Sequence, residues 1–110
     1  MIIEYETQEH IALITLNRPE ARNAVNHEVA EGIEEALDRF EADENLWTGI
    51  LCANGPAFSA GADLKAISAG KLNLATKKGG FGGIVARERI KPLIAAVDGP
   101  ALAGGTELAL

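Results

Sequence analysis

One cysteine in 110 residues leaves no partner for an intrachain disulfide and no second thiol for a metal clip. Cys52 sits in an apolar run, which reads as a small buried hydrophobe in a reducing compartment. No apolar stretch approaches the roughly 20 residues of a membrane span. The opening MIIEYETQEH lacks a basic region followed by an apolar one, so a cytosolic protein, with no membrane partner, is the default. The GGFGG stretch at 79–83 has neither GxGxxG spacing nor a preceding strand, which excludes a dinucleotide fold. No repeat period points to a solenoid. His10 and His27 have no ligand partners at metal spacing; they read as polar residues at a strand end and a helix start, and no metal or organic cofactor is expected.

What is present is ordinary for one small domain, with 47% apolar and 24% charged residues. A chain of this size buries only roughly 60–70% of its unfolded surface, so a deep cleft is hard to enclose. The net charge of −6 is uneven. Residues 1–44 hold twelve acids and three bases, whereas residues 45–110 carry a net +3. The acidic half argues against a nucleic-acid surface. Lys77, Lys78, Arg87, Arg89 and Lys91 suit either a smaller polyanion or a solvated face.

Alternation places two strands before Asn17, with Ile3 and Tyr5 in the first and either Ile11 and Leu13 or Ala12, Ile14 and Leu16 facing inward in the second. Val25, Val29, Ile33, Leu37 and Phe40 recur at helical spacing opposite Glu28, Glu31, Glu34, Glu35 and Asp38, so residues 25–40 form an amphipathic helix. Residues 47–53 read as a buried strand ended by Asn54-Gly55-Pro56. FSAGADL is a small-residue turn into a short helix near Asp63. Residues 70–83, rich in glycine, suggest a flexible loop, residues 84–91 a helix closed by Pro92, and residues 93–97 a second buried strand. Gly99-Pro100 then turns the chain into ALAGGTELAL, the start of a helix. Alternation of strands and helices indicates an α/β layering.

Two of these turns match. Ser59 to Asp63 and Leu102 to Gly105 each place small residues at a strand exit before a helix. Backbone N–H groups lack internal partners at a helix start and the dipole end is positive, so both turns can receive a negatively charged oxygen. The plainer alternative is that glycine only permits a tight turn. Glu107, one turn further on, is equally an acid favoured in a first helical turn and a carboxylate placed near a polarised carbonyl.

IALITLNRPEARNAVN, GPAFSAGADLKAI and KPLIAAVDGPALAGGTELAL resemble, in order and spacing, the three amino-terminal signature blocks of the enoyl-CoA hydratase/isomerase, or crotonase, superfamily. The resemblance spans nearly the whole chain. It implies residues 1–110 as the amino-terminal part of a crotonase core, a spiral of ββα units incomplete at the carboxyl end, in proteins that assemble as trimers or dimers of trimers. Carried over, it makes Ala60 and Gly104 the oxyanion-hole donors and Glu107 the first catalytic carboxylate. It sets the acyl-CoA against Arg22, Ala24, Ala60, Ala62, Asp63, Leu64 and Gly104, with Arg22 alternatively a solvated charge and Asp63 a helix cap first. The second family glutamate would lie beyond Leu110.

The implied reaction is addition of water across the 2,3-double bond of an enoyl-CoA, the enolate being stabilised by two backbone donors. The alternatives are enoyl-CoA isomerisation, another lyase of the family, or a non-catalytic CoA-binding fragment. TELAL opens a helix that the chain does not complete, as expected of an incomplete and weakly active or inactive polypeptide. Ala103, where a glycine is usual, fits if its φ is negative, and Thr106 is acceptable near a helix start.

Overall fold

The computed structural model describes residues 1–70 and 73–110. Strand β1 (Ile3–Gln8) turns through Glu9 and His10 into β2 (Ile11–Leu16), its antiparallel neighbour. Ala12, Ile14 and Leu16 are the buried face, which decides the alternation left open above. A short 3-10 turn, Pro19–Ala21, leads to α1 (His27–Ala42). The Asn26 side chain accepts from the Val29 N–H and caps the helix. Helix α1 buries Val29, Ile33, Leu37 and Phe40; each large apolar side chain so buried contributes roughly 1.5–3 kcal/mol.

After α1 the chain returns as β3 (Thr48–Ala53), parallel to β2. Trp47 falls outside this strand and is 61% exposed, correcting its expected burial. Its ring stacks on His10 at 3.7 Å, and its main-chain N–H donates to the His10 carbonyl. Cys52 is half-buried rather than enclosed, beside the Thr15 hydroxyl at 3.3 Å. Helix α2 (Leu64–Ser68) follows, then the hairpin β4 (Ala75–Thr76) and β5 (Gly80–Phe81). Residues 70–83 are therefore not structureless, although Lys71 and Leu72 within that expected loop lie outside the described residues.

Residues 84–86 form a turn and 87–91 run on without a regular element, in place of the expected helix. Ile84 is in the core while Ile90 is 82% exposed, and Arg87 is drawn into ion pairs with α1. These contacts to a distant element, made by single residues, leave no continuous helical face to bury. Strand β6 (Leu93–Ala95) pairs parallel with β3 and ends the sheet order β1-β2-β3-β6. It is shorter than expected and not buried: Ile94 within it is 54% exposed, and Val97 just beyond it is exposed too, because no described element covers that face. Helix α3 (Gly104–Ala109) closes the chain, and Leu108 joins Ile14, Ile33, Phe40, Leu51, Phe58 and Ile84 in one core.

Three of the basic residues are engaged within the protein. Lys78 pairs with Asp38, Arg87 with Asp38 and Glu41, and the Lys91 ammonium donates to the carbonyls of Phe40 and Asp43. Two acids of the amino-terminal half, Asp38 and Glu41, are thus neutralised by bases from the second half.

Candidate active site

Three chain segments converge after the ends of β2, β3 and β6. Arg22 and Asn23 both take the left-handed conformation, at φ 52 and 54. Asn23 is buried and has its full set of partners. Its side chain accepts from the Arg18 N–H and donates to the carbonyls of Asn54 and Ala57, while its own carbonyl receives the Ser59 hydroxyl. The Ser59 hydroxyl oxygen in turn accepts from the Gly61 N–H at 3.2 Å. The turn 59–63 is laced to residues 22–25 by the Ala60 N–H to the Arg22 carbonyl, Val25 to Gly61 and Asp63 to Val25.

Asp63 caps α2, its Oδ1 accepting from the N–H groups of Lys65 and Ala66. Its Oδ2 meets the Arg18 guanidinium at 2.7 Å, and Arg18 also donates to the Ala24 carbonyl. The Arg18 hydrogen bond, helped by the Ala66 and Lys65 amides against the effect of burial, holds the Asp63 carboxyl below its ordinary value. The expectation of a cap first is met, and both carboxylate oxygens are engaged within the protein.

The second turn runs beside the first. Ser59 and Ala101 form a parallel bridge, Phe58 donates to the Pro100 carbonyl, and Leu102 donates to the Ser59 carbonyl. The two glycines touch: a methyl group on Gly61 would stand 2.9 Å from the Gly104 nitrogen. The Thr106 hydroxyl donates to the Ala101 carbonyl at 2.7 Å, which gives this residue a holding role at the helix start.

The amides decide the chemistry. From Ser59 to Asp63, every N–H has an acceptor among the described residues except that of Ala62. Ala60 is therefore corrected as a donor, since its N–H is already taken by the Arg22 carbonyl at 3.0 Å. In the second turn the N–H groups of Ala103 and Gly104 lack acceptors among the described residues, and that of Gly104 lies against Gly61. Gly104 opens α3, and the exposed Glu107 stands in its first turn with no ion-pair partner among the described residues. Ala103 has φ 47 and ψ −117, so the condition under which an alanine fits there, a negative φ, is not met. An alanine there is strained.

The family model for enoyl-CoA hydratase/isomerase matches residues 6–110. The chain belongs to this family. A curated enoyl-CoA hydratase of Mycobacterium tuberculosis is 40% identical over 109 residues, covering 94% of the chain and 41% of that protein. A probable enoyl-CoA hydratase of Rhizobium meliloti is 44% identical, with 96% and 41% covered. A crystal structure of an enoyl-CoA hydratase from Mycobacterium tuberculosis superposes with a TM-score of 0.92 at 47% identity, over 99% of the chain and 42% of that structure. The fold is thus of the crotonase type, and the chain spans about two fifths of the length of the relatives it matches.

Of the residues expected from the sequence of this crotonase-family chain, Ala24, Ala60, Ala62, Asp63 and Gly104 are gathered at the two adjoining turns. Arg22 reaches them through its carbonyl, while its side chain is exposed; Leu64 is also exposed. Arg18, Asn23 and Ser59 were not singled out, although they position the first turn. Arg18 and Asn23 lie in the same RPEARNA block, but only the fold brings Arg18 to Asp63, 45 residues away. A cavity of about 730 Å³ is lined by Arg18, Asn26, His27, Asp63, Lys65 and Asn73. Ala62, Gly104 and Glu107 are not among its walls, so this cavity lies beside the free amides rather than over them.

Proposed function

We propose that this chain carries the thioester-polarising half of an enoyl-CoA hydratase-type active site. The carrying observation is a pair of amides on adjoining turns, those of Ala62 and Gly104, that have no acceptor among the described residues. A thioester oxygen lodged between them accepts two fixed donors, and the enolate that forms when water adds to the β-carbon is stabilised where its charge develops. Losing one such donor typically costs on the order of 10²–10³ in rate. Donors already held in place need little rearrangement during the reaction.

Glu107, three residues past Gly104, is the general acid/base of this proposal. It exchanges a proton with water or with the substrate carbon next to the polarised carbonyl. The cavity beside the turns is where this proposal seats the coenzyme A portion, with Lys65, which has no ion pair among the described residues, as the cation for its phosphates and with Glu28 and Asp63 also in the wall. The assembly into trimers that the family resemblance implies belongs to the same proposal and is read by sedimentation. No metal or organic cofactor takes part in the proposed chemistry.

The test has two stages. A thermal-shift titration with crotonyl-CoA and with free coenzyme A reads binding, and a hydration assay reads turnover. Glu107→Gln is expected to bind the thioester as the parent does and to lose about 10²–10⁴ in any turnover the parent has. Thioester binding no tighter than that of free coenzyme A would remove the case for a carbonyl site. Binding without turnover favours the second reading, a CoA-binding piece whose chemistry needs further carboxylates; relatives more than twice as long make that reading specific.

A further inference from the structure

Phe81 reaches the second turn from the hairpin between the two site turns. It closes β5 opposite Ala75, and its ring lies so near Gly104 that a methyl on that glycine would come within 2.7 Å of Cε2 and Cζ. The proposed hydration gives this ring no task. Yet an oxygen held 2.7–3.1 Å from the Gly104 nitrogen puts the carbonyl carbon only about 4 Å away, given a C=O bond of about 1.2 Å. Acyl carbons leaving that centre start within reach of whatever touches Gly104.

The ring is held in place by its own segment. The Gly82 N–H donates to the Leu74 carbonyl and the Ala86 N–H to the Gly79 carbonyl, both at 2.8 Å. Ile84 anchors the segment in the core. Arg87 then clamps it to α1: its side chain is 3% exposed, and its Nη2 donates to Asp38 and to Glu41, each at 2.7 Å. Lys78 reaches the same Asp38 oxygen. The Arg87 Nε and Nη1 have no acceptor among the described residues. A buried guanidinium with two idle donors is costly, so its place is set by the two carboxylates and the packing, not by a complete hydrogen-bond set.

We propose that Phe81 limits the size of the acyl group admitted beside Gly104, and that Arg87, clamped by Asp38 and Glu41, is the positioning residue that keeps the ring there. This rests on the acyl-thioester reading above. Phe81 is a specificity wall and takes no part in proton transfer. Arg87 acts only through it.

The test is calorimetric titration of the chain with short, medium and long straight-chain acyl-CoA thioesters, with free coenzyme A as reference. Phe81→Ala and Phe81→Leu are expected to shift relative affinity toward longer chains, by about tenfold or more for alanine, with free coenzyme A bound as before. Arg87→Gln shifts the preference in the same direction, and Arg87→Lys restores part of the parental preference. If both folded Phe81 variants, checked by circular dichroism, bind the series in the parental ratio, the wall is disproved while the acyl-thioester reading stands. If the parent binds no thioester better than coenzyme A, that reading falls and the wall with it.

Discussion

The turn at 59–63 is held by side chains, whereas the turn at 101–105 is held by backbone packing around a strained alanine. In the first, Asn23, Ser59, Asp63 and Arg18 brace the segment through their side chains, and Gly61 donates to the Ser59 hydroxyl. Ser59, Ala60 and Asp63 donate to main-chain carbonyls, and the Ala62 N–H alone has no acceptor among the described residues. In the second, Ala103 has φ 47, the start of α3 has no side-chain cap, and Gly104 is confined between Gly61 and the Phe81 ring. A free amide can therefore be prepared by satisfying its neighbours or by crowding them. The first way makes the turn sensitive to lost polar partners; the second makes it sensitive to added volume.

The largest expected effect follows from adding volume. Gly104→Ala pushes a methyl into the Phe81 ring and displaces the amide, lowering turnover by about 10²–10³ in a hydration assay with little loss of secondary structure. Combining it with Phe81→Ala recovers part of the loss if crowding is the cause. An equal modification at Ala60, whose N–H already has a protein acceptor, is the control that breaks the comparison if it proves as damaging.

Removing polar partners from the first turn comes next. Asp63→Ala loses both the cap and the Arg18 pair and is expected to destabilise the fold by about 3 kcal/mol in urea unfolding. Asp63→Asn keeps the cap and loses about half as much. The pH response follows the same residue. The Asp63 carboxyl is held below its ordinary value first by Arg18, so its contribution is fully present above the unfolded value of about pH 4 and is lost as pH falls through the folded value. Asp38, held low by Lys78 and then Arg87, behaves likewise. Asp63→Asn should flatten the acid limb of the stability curve, and an unchanged limb would show that the pair contributes nothing.

The smallest effect is the most diagnostic of strain. Ala103→Gly removes the penalty of a side chain at φ 47 and should raise stability by about 1 kcal/mol, read as an increase in melting temperature. A decrease would mean that the alanine methyl is packed usefully and that the second turn is not strained after all.

Much of the fold was legible because period and punctuation are local. The helix at 25–40 showed itself through one apolar face, β2 through its alternation and the Pro19 stop, and β3 through its apolar run and the Asn54-Gly55-Pro56 stop. The expected helix at 84–91 failed because Arg87 bonds to carboxylates on α1 across 46 and 49 residues, a contact no window of sequence contains. Strand β6 was misjudged because an apolar run does not say whether both of its faces meet protein. At the site, the two small-residue turns were visible as a matched pair, but which amide of the first was free was not. Ala60 and Ala62 differ only in what stands opposite them.

The sequence by itself determined the α/β order, the acidic helix, the two small-residue turns and the family. Those properties depend on neighbours three or four residues apart and on motif spacing. Only the tertiary structure decided that the Ala60 N–H is taken and that of Ala62 free, that Arg18 rather than Arg22 meets Asp63, and that Phe81 rests on Gly104. Each of those is a matter of which group from a distant segment arrives within hydrogen-bond or van der Waals range.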